Sequence, residues 1–523
     1  MTARVLLVTS EAIPLAKTGG LADVITALTD TLRKQGVDAS ILMPGYPSAL
    51  QIAQNLHNVG TLDALPGGPG MLLSGTIPGT DIPVILLDTA HFRARTGSHL
   101  YVDEDGYELS DNALSFAALA HAAMQICAGK TGLPKPHIVH ANDWHTGLIP
   151  ALLQINNIQD VSTVLTIHNL AFQGNFPLEM ASALGLPDTM LNAECIEYWG
   201  QLSFLKAGIR YADWITTVSN TYAQEILTPR FGHGFEGFLQ QRKNHLSAIP
   251  NGIDVDLWNP VSDPMITRRF SRTDTKGKAA CKSQLKEMFN LLPINQFAPV
   301  LGLGSRITHQ KMADVALAAL PSILQTHPYL QLAILGCGEH VYERGFQDLV
   351  AQFPGRVGVH IGYDETHAHV LHAGADMLLH GSRFEPFGLT PIYAMRYGTI
   401  PIASRVGGLN DTIVDAGTIA QPIPGGSGVL FDGEQPQDMI DAINRAFQFY
   451  GLRQEWQKLQ VNAMSAERGW TASAHQYIAM YRDIVAPQLK GLFADALCIA
   501  DLKTPDATDK KTRKEVSRMH KLG

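Results

Sequence analysis

The chain is short of cysteine, of long apolar runs and of positive charge, and each shortage removes a class of protein. Its five cysteines, Cys127, Cys195, Cys281, Cys337 and Cys498, stand far apart in 523 residues. They have neither the spacing of a metal site nor the density of a disulfide framework, so the expected compartment is a reducing cytoplasm. The N-terminal MTARVLLVTSEA carries one arginine and an apolar run that stops at Glu11. That run is too brief for a signal-peptide core or a membrane span, and no membrane partner is expected. A net charge of -8 argues against nucleic acid as a partner, because phosphate backbones demand a basic surface. There is no repeat of solenoid length and no low-complexity tract. What is present, 45% hydrophobic and 17% charged residues, suits a globular protein of two large domains or three ordinary ones.

The recurring pattern is a short β-branched run, a polar or glycine-rich turn and a helical run. Residues 5–9 read as the first strand, followed by a loop containing KTGG and a helix over 21–32 that stops before Gly36. In that loop Gly19 and Gly20 let the backbone approach a ligand closely, and Lys17 stands at its mouth, free to reach an anion. Further strands are expected at 84–87, 138–140, 164–168 and 214–218. Three of them end in polar residues: Asp143, Trp144 and His145; His168 and Asn169; Ser219 and Asn220. In an open parallel α/β sheet such strand ends line a cleft. His140, His145 and His168 come from separate loops without an HExxH-like frame, so no metal is expected, and the DxD of Asp254 to Asp256 reads as part of a connection.

Residues 248–260, AIPNGIDVDLWNP, are rich in turn formers and read as the crossing between domains. A second strand series follows at 300–303, 332–335, 357–361, 377–379 and 400–403. After the first of these, Arg306 and Lys311 could neutralise a diphosphate; after the third, Tyr363 could stack on a nucleobase or serve packing. The densest stretch is 381–411, GSRFEPFGLTPIYAMRYGTIPIASRVGGLND. Here a strand ends, a loop carries Ser382, Arg383 and Glu385, and a helix resumes from Leu389 to Tyr397. The amides of Gly388, Leu389 and Thr390 would point from the helix N-terminus and suit phosphate oxygens, whereas Glu385 suits sugar hydroxyls. Residues 469–489 have helical apolar spacing and read as a closing helix, and 501–523 read as a polar tail.

Taken together, KTGGLADV, HANDWHTGL, TIHNLAFQG, PNGID, SRITHQK, IGYDE and SRFEPFGLTPIYAMRYGTIPIASRVGGLNDTI resemble, in order, the bacterial glycogen synthases and plant starch synthases, a family of retaining glucosyltransferases. The resemblance covers nearly the whole chain up to about Leu489. It implies an α/β fold of two Rossmann-like domains facing across a deep cleft (GT-B type), with the C-terminal helix crossing back to the first. The corresponding boundaries are 1–250, 251–467, 468–490 for the closing helix and 491–523 for the tail. It further implies transfer of glucose from an ADP-glucose donor to the non-reducing 4-hydroxyl of glycogen or another α-1,4-glucan acceptor, with retention and without a cofactor.

Carried over residue by residue, Lys17, Gly19, Gly20 and Asp23 of KTGGLADV resemble the sugar-nucleotide contact of the first domain. Asp143 and His168 match residues that hold the glucosyl unit, Asn251 lies in the matching PNGID, and Arg306 and Lys311 match the diphosphate pair. Glu385 with Gly388, Leu389 and Thr390 matches the loop for glucosyl hydroxyls and the distal phosphate, and Tyr363 the adenine-stacking ring. Three positions depart. Phe387 stands where many members have cysteine, Pro391 where they have glutamine, and Tyr393 where related retaining enzymes carry a second glutamate, so ribose recognition must come from elsewhere. The expected reaction is a front-face displacement, with the leaving phosphate taking the acceptor proton and His168 stabilising the sugar cation. Double displacement through Asp143 or Glu385 is the competing route. The competing functions are a catalytically silent glucan-binding scaffold and a same-fold enzyme using UDP-glucose or another acceptor.

Overall fold

The computed structural model describes residues 2–97, 99–103, 106–295 and 297–494. Cys498 and the tail expected at 501–523 lie outside the described residues.

Apolar, β-branched runs in the first half become strands buried on both faces, as parallel strands between helices must be. Arg4–Val8 pairs in parallel with Asp38–Pro44 on one side and Ile138–Asn142 on the other. Beyond Ile138–Asn142 the sheet continues through Ser162–Ile167, Trp214–Thr217 and Leu246–Ala248, and beyond Asp38–Pro44 through Pro83–Asp88. An antiparallel pair, Gly70–Thr76 and Gln54–Leu62, closes that edge. Strand order therefore reverses at Arg4–Val8, and the KTGG loop leaves from this switch point, where an open α/β sheet presents its ligand crevice. The helix Gly20–Lys34 follows, with Val24, Ile25, Leu28 and Leu32 buried against the sheet at helical spacing.

The second sheet is wholly parallel, in the order Val357–Ile361, Gln331–Gly336, Val300–Gly304, Met377–His380, Ile400–Ser404 and Val429–Phe431. Its order reverses between Val300–Gly304 and Met377–His380. The SRITHQK and SRFEPFGL loops follow those two strands, so both rise at one switch point. Each sheet has its own apolar core.

The closing segment is shorter than 469–489. Its helix is Thr471–Ile484, and a separate short turn, Pro487–Leu489, follows because Pro487 has no N–H to continue the ladder. Although it follows the second sheet in the chain, this helix buries Ala474, Tyr477, Ile478 and Tyr481 in the core of the first. His140, at the centre of the first sheet, is wholly buried between the Tyr481 hydroxyl at 2.7 Å and the Thr166 hydroxyl at 2.6 Å. Burial keeps its imidazole neutral, with a pKa lowered to about 3. Tyr481→Phe should strand one imidazole nitrogen away from water and cost about 1–3 kcal/mol. Denaturant unfolding of the two proteins measures this, and an unchanged midpoint would remove the anchor from the account.

Candidate active site

The KTGG loop and the loop after Trp214–Thr217 of the first sheet meet the IGYDE and SRFEPFGL loops of the second across the cleft. Glu11, just past the first strand, organises the KTGG loop. Its carboxylate accepts from the Thr18 amide and hydroxyl, each at 2.5 Å, from the Gly19 amide at 3.2 Å and from the Tyr101 hydroxyl at 2.5 Å. In the sequence Glu11 is marked only as an acid directly after an apolar strand, with nothing local to tie it to the loop it holds. Gly20 packs against the other half of the molecule, since a Cβ there would come within 2.9 Å of Leu389 Cδ1.

Lys17 is not free in this arrangement. Its ammonium lies 3.1 Å from Asp23 Oδ1 and 3.2 Å from the Tyr363 hydroxyl, with the Tyr363 ring centroid 5.1 Å away. Burial alone would make the ammonium easier to deprotonate, but Asp23, Tyr363 and Glu365 outweigh it and hold the charge more firmly. Tyr363 itself is 60% exposed, leaving ring surface open to the cleft.

The Asp143 backbone has φ 57° and ψ -173°, a region that side-chain-bearing residues rarely adopt, where the strand Ile138–Asn142 passes into the turn Trp144–Thr146. Its Oδ1 accepts from the His168 amide at 2.7 Å and the Asn169 amide at 3.3 Å, so this carboxylate fixes the loop bearing His168. Burial pushes the Asp143 pKa up to about 7, against the pull of those amides. His168 donates from Nε2 to Asn142 Oδ1 at 2.9 Å, because the Asn142 amide group is committed to the Val8 and His140 carbonyls. Burial lowers the His168 pKa to about 3, which makes its ring neutral at physiological pH.

In the second half Glu385 is buried and its Oε2 is heavily used. It forms a very short ion pair with Lys311 and accepts from His380 Nε2 at 2.9 Å and the Ser382 hydroxyl at 3.0 Å. Burial would raise its pKa, but the Lys311 ammonium and the His380 hydrogen bond prevail and hold the carboxyl well below the usual range. No described residue donates to Oε1. Arg306 is exposed, bonded to Gln310 Oε1 at 3.2 Å, and enters no ion pair among the described residues. Gly388 takes φ 89° as the N-cap of Leu389–Arg396, so Leu389 and Thr390 open that helix as expected. Phe387, one of the departures, is buried, and its backbone lies so close to Gly408 that a Cβ on that glycine would meet the Phe387 carbonyl. The loop is also tied across the cleft, where the Ser219 hydroxyl donates to the Pro386 carbonyl at 2.7 Å.

Asn251 is buried with an unpartnered Oδ1 in the crossing segment. Asp254 caps the turn after it, accepting from the Asp256 and Leu257 amides at 2.9 and 3.0 Å. Tyr393 is stacked on Trp258 at 3.9 Å between centroids. His145 lies against Trp144 and Phe116, so the three histidines considered for a metal serve three separate environments.

Two facing Rossmann-like sheets with cations, a carboxylate and a helix N-terminus at their switch points define a GT-B glycosyltransferase. Residues 4–241 match the starch synthase catalytic domain model and residues 286–460 the glycosyl transferases group 1 model. The glycogen synthase of Bordetella petrii is 49% identical over 489 residues, covering 93% of this chain and 93% of that one. The glycogen synthase of Ralstonia nicotianae is 50% identical over 481 residues, covering 92% and 88%. The catalytic domain of starch synthase IV from Arabidopsis thaliana, bound to ADP and acarbose, superposes with a TM-score of 0.83 at 28% identity over 92% of this chain and 99% of that one. The chain belongs to the glycogen synthase and starch synthase family of retaining glycosyltransferases.

The Asp143 pKa carries a sign. An acid whose pKa rises on folding, here from 3.8 to about 7, binds more protons folded than unfolded. It therefore destabilises the fold progressively as pH climbs through that window and imposes the full penalty above it. Asp143→Asn should gain stability over the parent between pH 4 and pH 8 by on the order of 2–4 kcal/mol. Unfolding at both pH values checks this, a constant difference being the failing result.

Proposed function

We propose that this chain acts as a glycogen synthase, transferring the glucosyl unit of ADP-glucose to the 4-hydroxyl at the non-reducing end of an α-1,4-glucan with the α configuration kept. One observation carries the reading. Arg306, the Lys311–Glu385 pair and the amide end of Leu389–Arg396 rise at one switch point, and Gly20 of the KTGG loop packs against Leu389 at that helix end. The names of the relatives, and the ADP held by the starch synthase neighbour, support the nucleotide and the acceptor. Four cysteines without disulfides among the described residues support a cytoplasmic site of action.

Breaking the bond from the anomeric carbon to phosphate builds negative charge on the departing diphosphate and positive charge on the sugar. The Arg306 guanidinium, which no carboxylate among the described residues neutralises, and the Leu389 and Thr390 amides meet the first demand. Lys311 plays a double part: it keeps Glu385 ionised, and the open Oε1 of Glu385 is then left to accept from glucosyl hydroxyls. His168 meets the second demand because it is neutral. An imidazolium in its place would repel the developing sugar cation, whereas the uncharged ring does not.

The same geometry favours front-face displacement. Glu385 has three donors on one oxygen, which lowers its nucleophilicity, and the Asp143 Oδ1 is spent on two amides. In the preferred route the bond to phosphate breaks, the acceptor 4-oxygen bonds to the anomeric carbon on the same face, and the acceptor proton goes to the leaving diphosphate. Closure over the KTGG loop excludes water that would otherwise hydrolyse the donor.

With ADP-glucose and glycogen, the protein should release ADP and lengthen glucan, and unlabelled UDP-glucose should compete weakly. Lys17→Ala and Arg306→Ala should each lower turnover at least about a hundredfold, the usual loss when a charge-stabilising donor is removed, with little change in melting temperature. Full activity in either variant would cancel that assignment, and a trapped glucosyl-enzyme adduct would replace the front-face route.

A further inference from the structure

Behind Tyr363 runs a chain of charged and aromatic groups that reaches the deep interior of the second domain. Glu365, the first residue of the helix Glu365–Gly374, accepts a very short hydrogen bond from the Tyr363 hydroxyl through Oε2, and the same oxygen is 3.8 Å from the Lys17 ammonium. Its Oε1 lies 3.6 Å from His369 Nε2, one turn further along the helix. His369 is wholly buried and donates through Nδ1 to Asp263 Oδ2 at 2.7 Å. That carboxylate also accepts from the Tyr397 hydroxyl at 2.5 Å, and its Oδ1 accepts from the Met265 amide at 2.8 Å. The imidazole face is stacked on Trp258, 4.0 Å between centroids and 11° from parallel.

A buried imidazole hydrogen-bonded to one carboxylate at Nδ1, with a second carboxylate 3.6 Å from Nε2, close enough for attraction but not for a hydrogen bond, is favoured as the cation. Burial alone would favour the neutral ring, yet the hydrogen bond to Asp263 and the approach of Glu365 raise the His369 pKa. Glu365 is correspondingly held down to about 2, burial being overcome by His369, Tyr363 and Lys17. The ring cannot turn, because Trp258 lies against its face and Asp263 fixes one nitrogen. Its other nitrogen therefore points at one place, and Glu365 is aimed by it.

We propose that Asp263, His369 and Glu365 form a positioning relay that fixes the Tyr363 ring and the Lys17 ammonium across the open cleft, presetting the nucleotide end of the site before the donor arrives. None of the three needs to touch the reacting atoms. Glu365 is the joint: one of its oxygens reads the buried cation, while the other holds the two cleft residues together. Without it, an exposed tyrosine following Gly362, itself at φ 130°, would sample many rotamers, and donor binding would have to order it. Lys17 keeps its own partner in Asp23 at 3.1 Å without Glu365, so the relay acts on donor affinity through the Tyr363 ring and leaves the chemical step, at Lys17, Arg306 and Glu385, largely alone.

This inference rests on the proposed glucosyl transfer, and the two fail differently. If the parent protein releases no ADP from ADP-glucose, the function is wrong whatever the variants do. If the parent is active, the relay is judged by variants. Glu365→Ala should raise the KM for ADP-glucose about tenfold with kcat within about threefold and the KM for glycogen unchanged, the signature of lost ground-state binding. ADP titrated calorimetrically should weaken by the same factor. His369→Gln, which keeps a hydrogen-bonding side chain but no cation, should reproduce the KM rise. The double variant should be no worse in KM than the poorer single one, because both break one chain. An unchanged donor KM in Glu365→Ala, a collapse of kcat at constant KM, or additive effects in the double variant would each overturn the relay. Should His369→Gln fold poorly, Glu365→Ala, whose side chain is one-third exposed, decides alone.

Discussion

The ion pair between Lys311 and Glu385 is the contact on which the second half of the cleft depends. Two opposite charges removed from water are costly unless they meet closely and their remaining valences are satisfied, and breaking such a pair costs about 3–5 kcal/mol. The first condition holds and the second holds on one side: the pair is very short, and His380 and Ser382 complete the shell of one carboxylate oxygen, while the other takes no donor among the described residues. The loop backbone is fixed from the other side, where the Gly408 amide donates to the Glu385 carbonyl at 3.0 Å. Glycine is required at 408 because the Phe387 carbonyl occupies the space a side chain would need. One loop is thereby held by charge and by close backbone packing at once.

The two halves divide the work. The first sheet contributes groups whose charge is suppressed by burial: a neutral His168 and an Asp143 of raised pKa that serves as a hydrogen-bond acceptor for loop amides. The second contributes groups whose charge is preserved: Glu385 and the Asp263–His369–Glu365 series. Lys17 belongs to the first by sequence, but its partners Tyr363 and Glu365 belong to the second. A cleft built in this way has its polarity set by contact between the halves.

Fold legibility followed burial. Fully buried parallel strands are near-continuous apolar runs, so 332–335, 377–379 and 400–403 stood out, and the observed strands extend them by a residue or two. The strands passed over were of other kinds. Gln54–Leu62 lies at an exposed edge and mixes polar residues into its length, while Val429–Phe431 is only three residues long. Asp38–Pro44 opens on an exposed aspartate that hides its apolar half. In the site, residues sitting directly after strands were readable as strand-end loops. Glu11, His380, Glu365, His369 and Asp263 were not singled out, because each acts through a neighbour.

By itself the sequence determined the alternation of strand, turn and helix, the two sheets, and the motifs of the glycogen and starch synthase family, because these depend on local periodicity and on residues close together in the chain. Only the tertiary structure decided the pairings. Lys311 meets Glu385 across 74 positions and Lys17 meets Tyr363 across 346. Whether Lys17 is free or engaged, and whether His168 is charged or neutral, depends on burial and on partners that arrive through folding. No local pattern encodes the dielectric around a side chain.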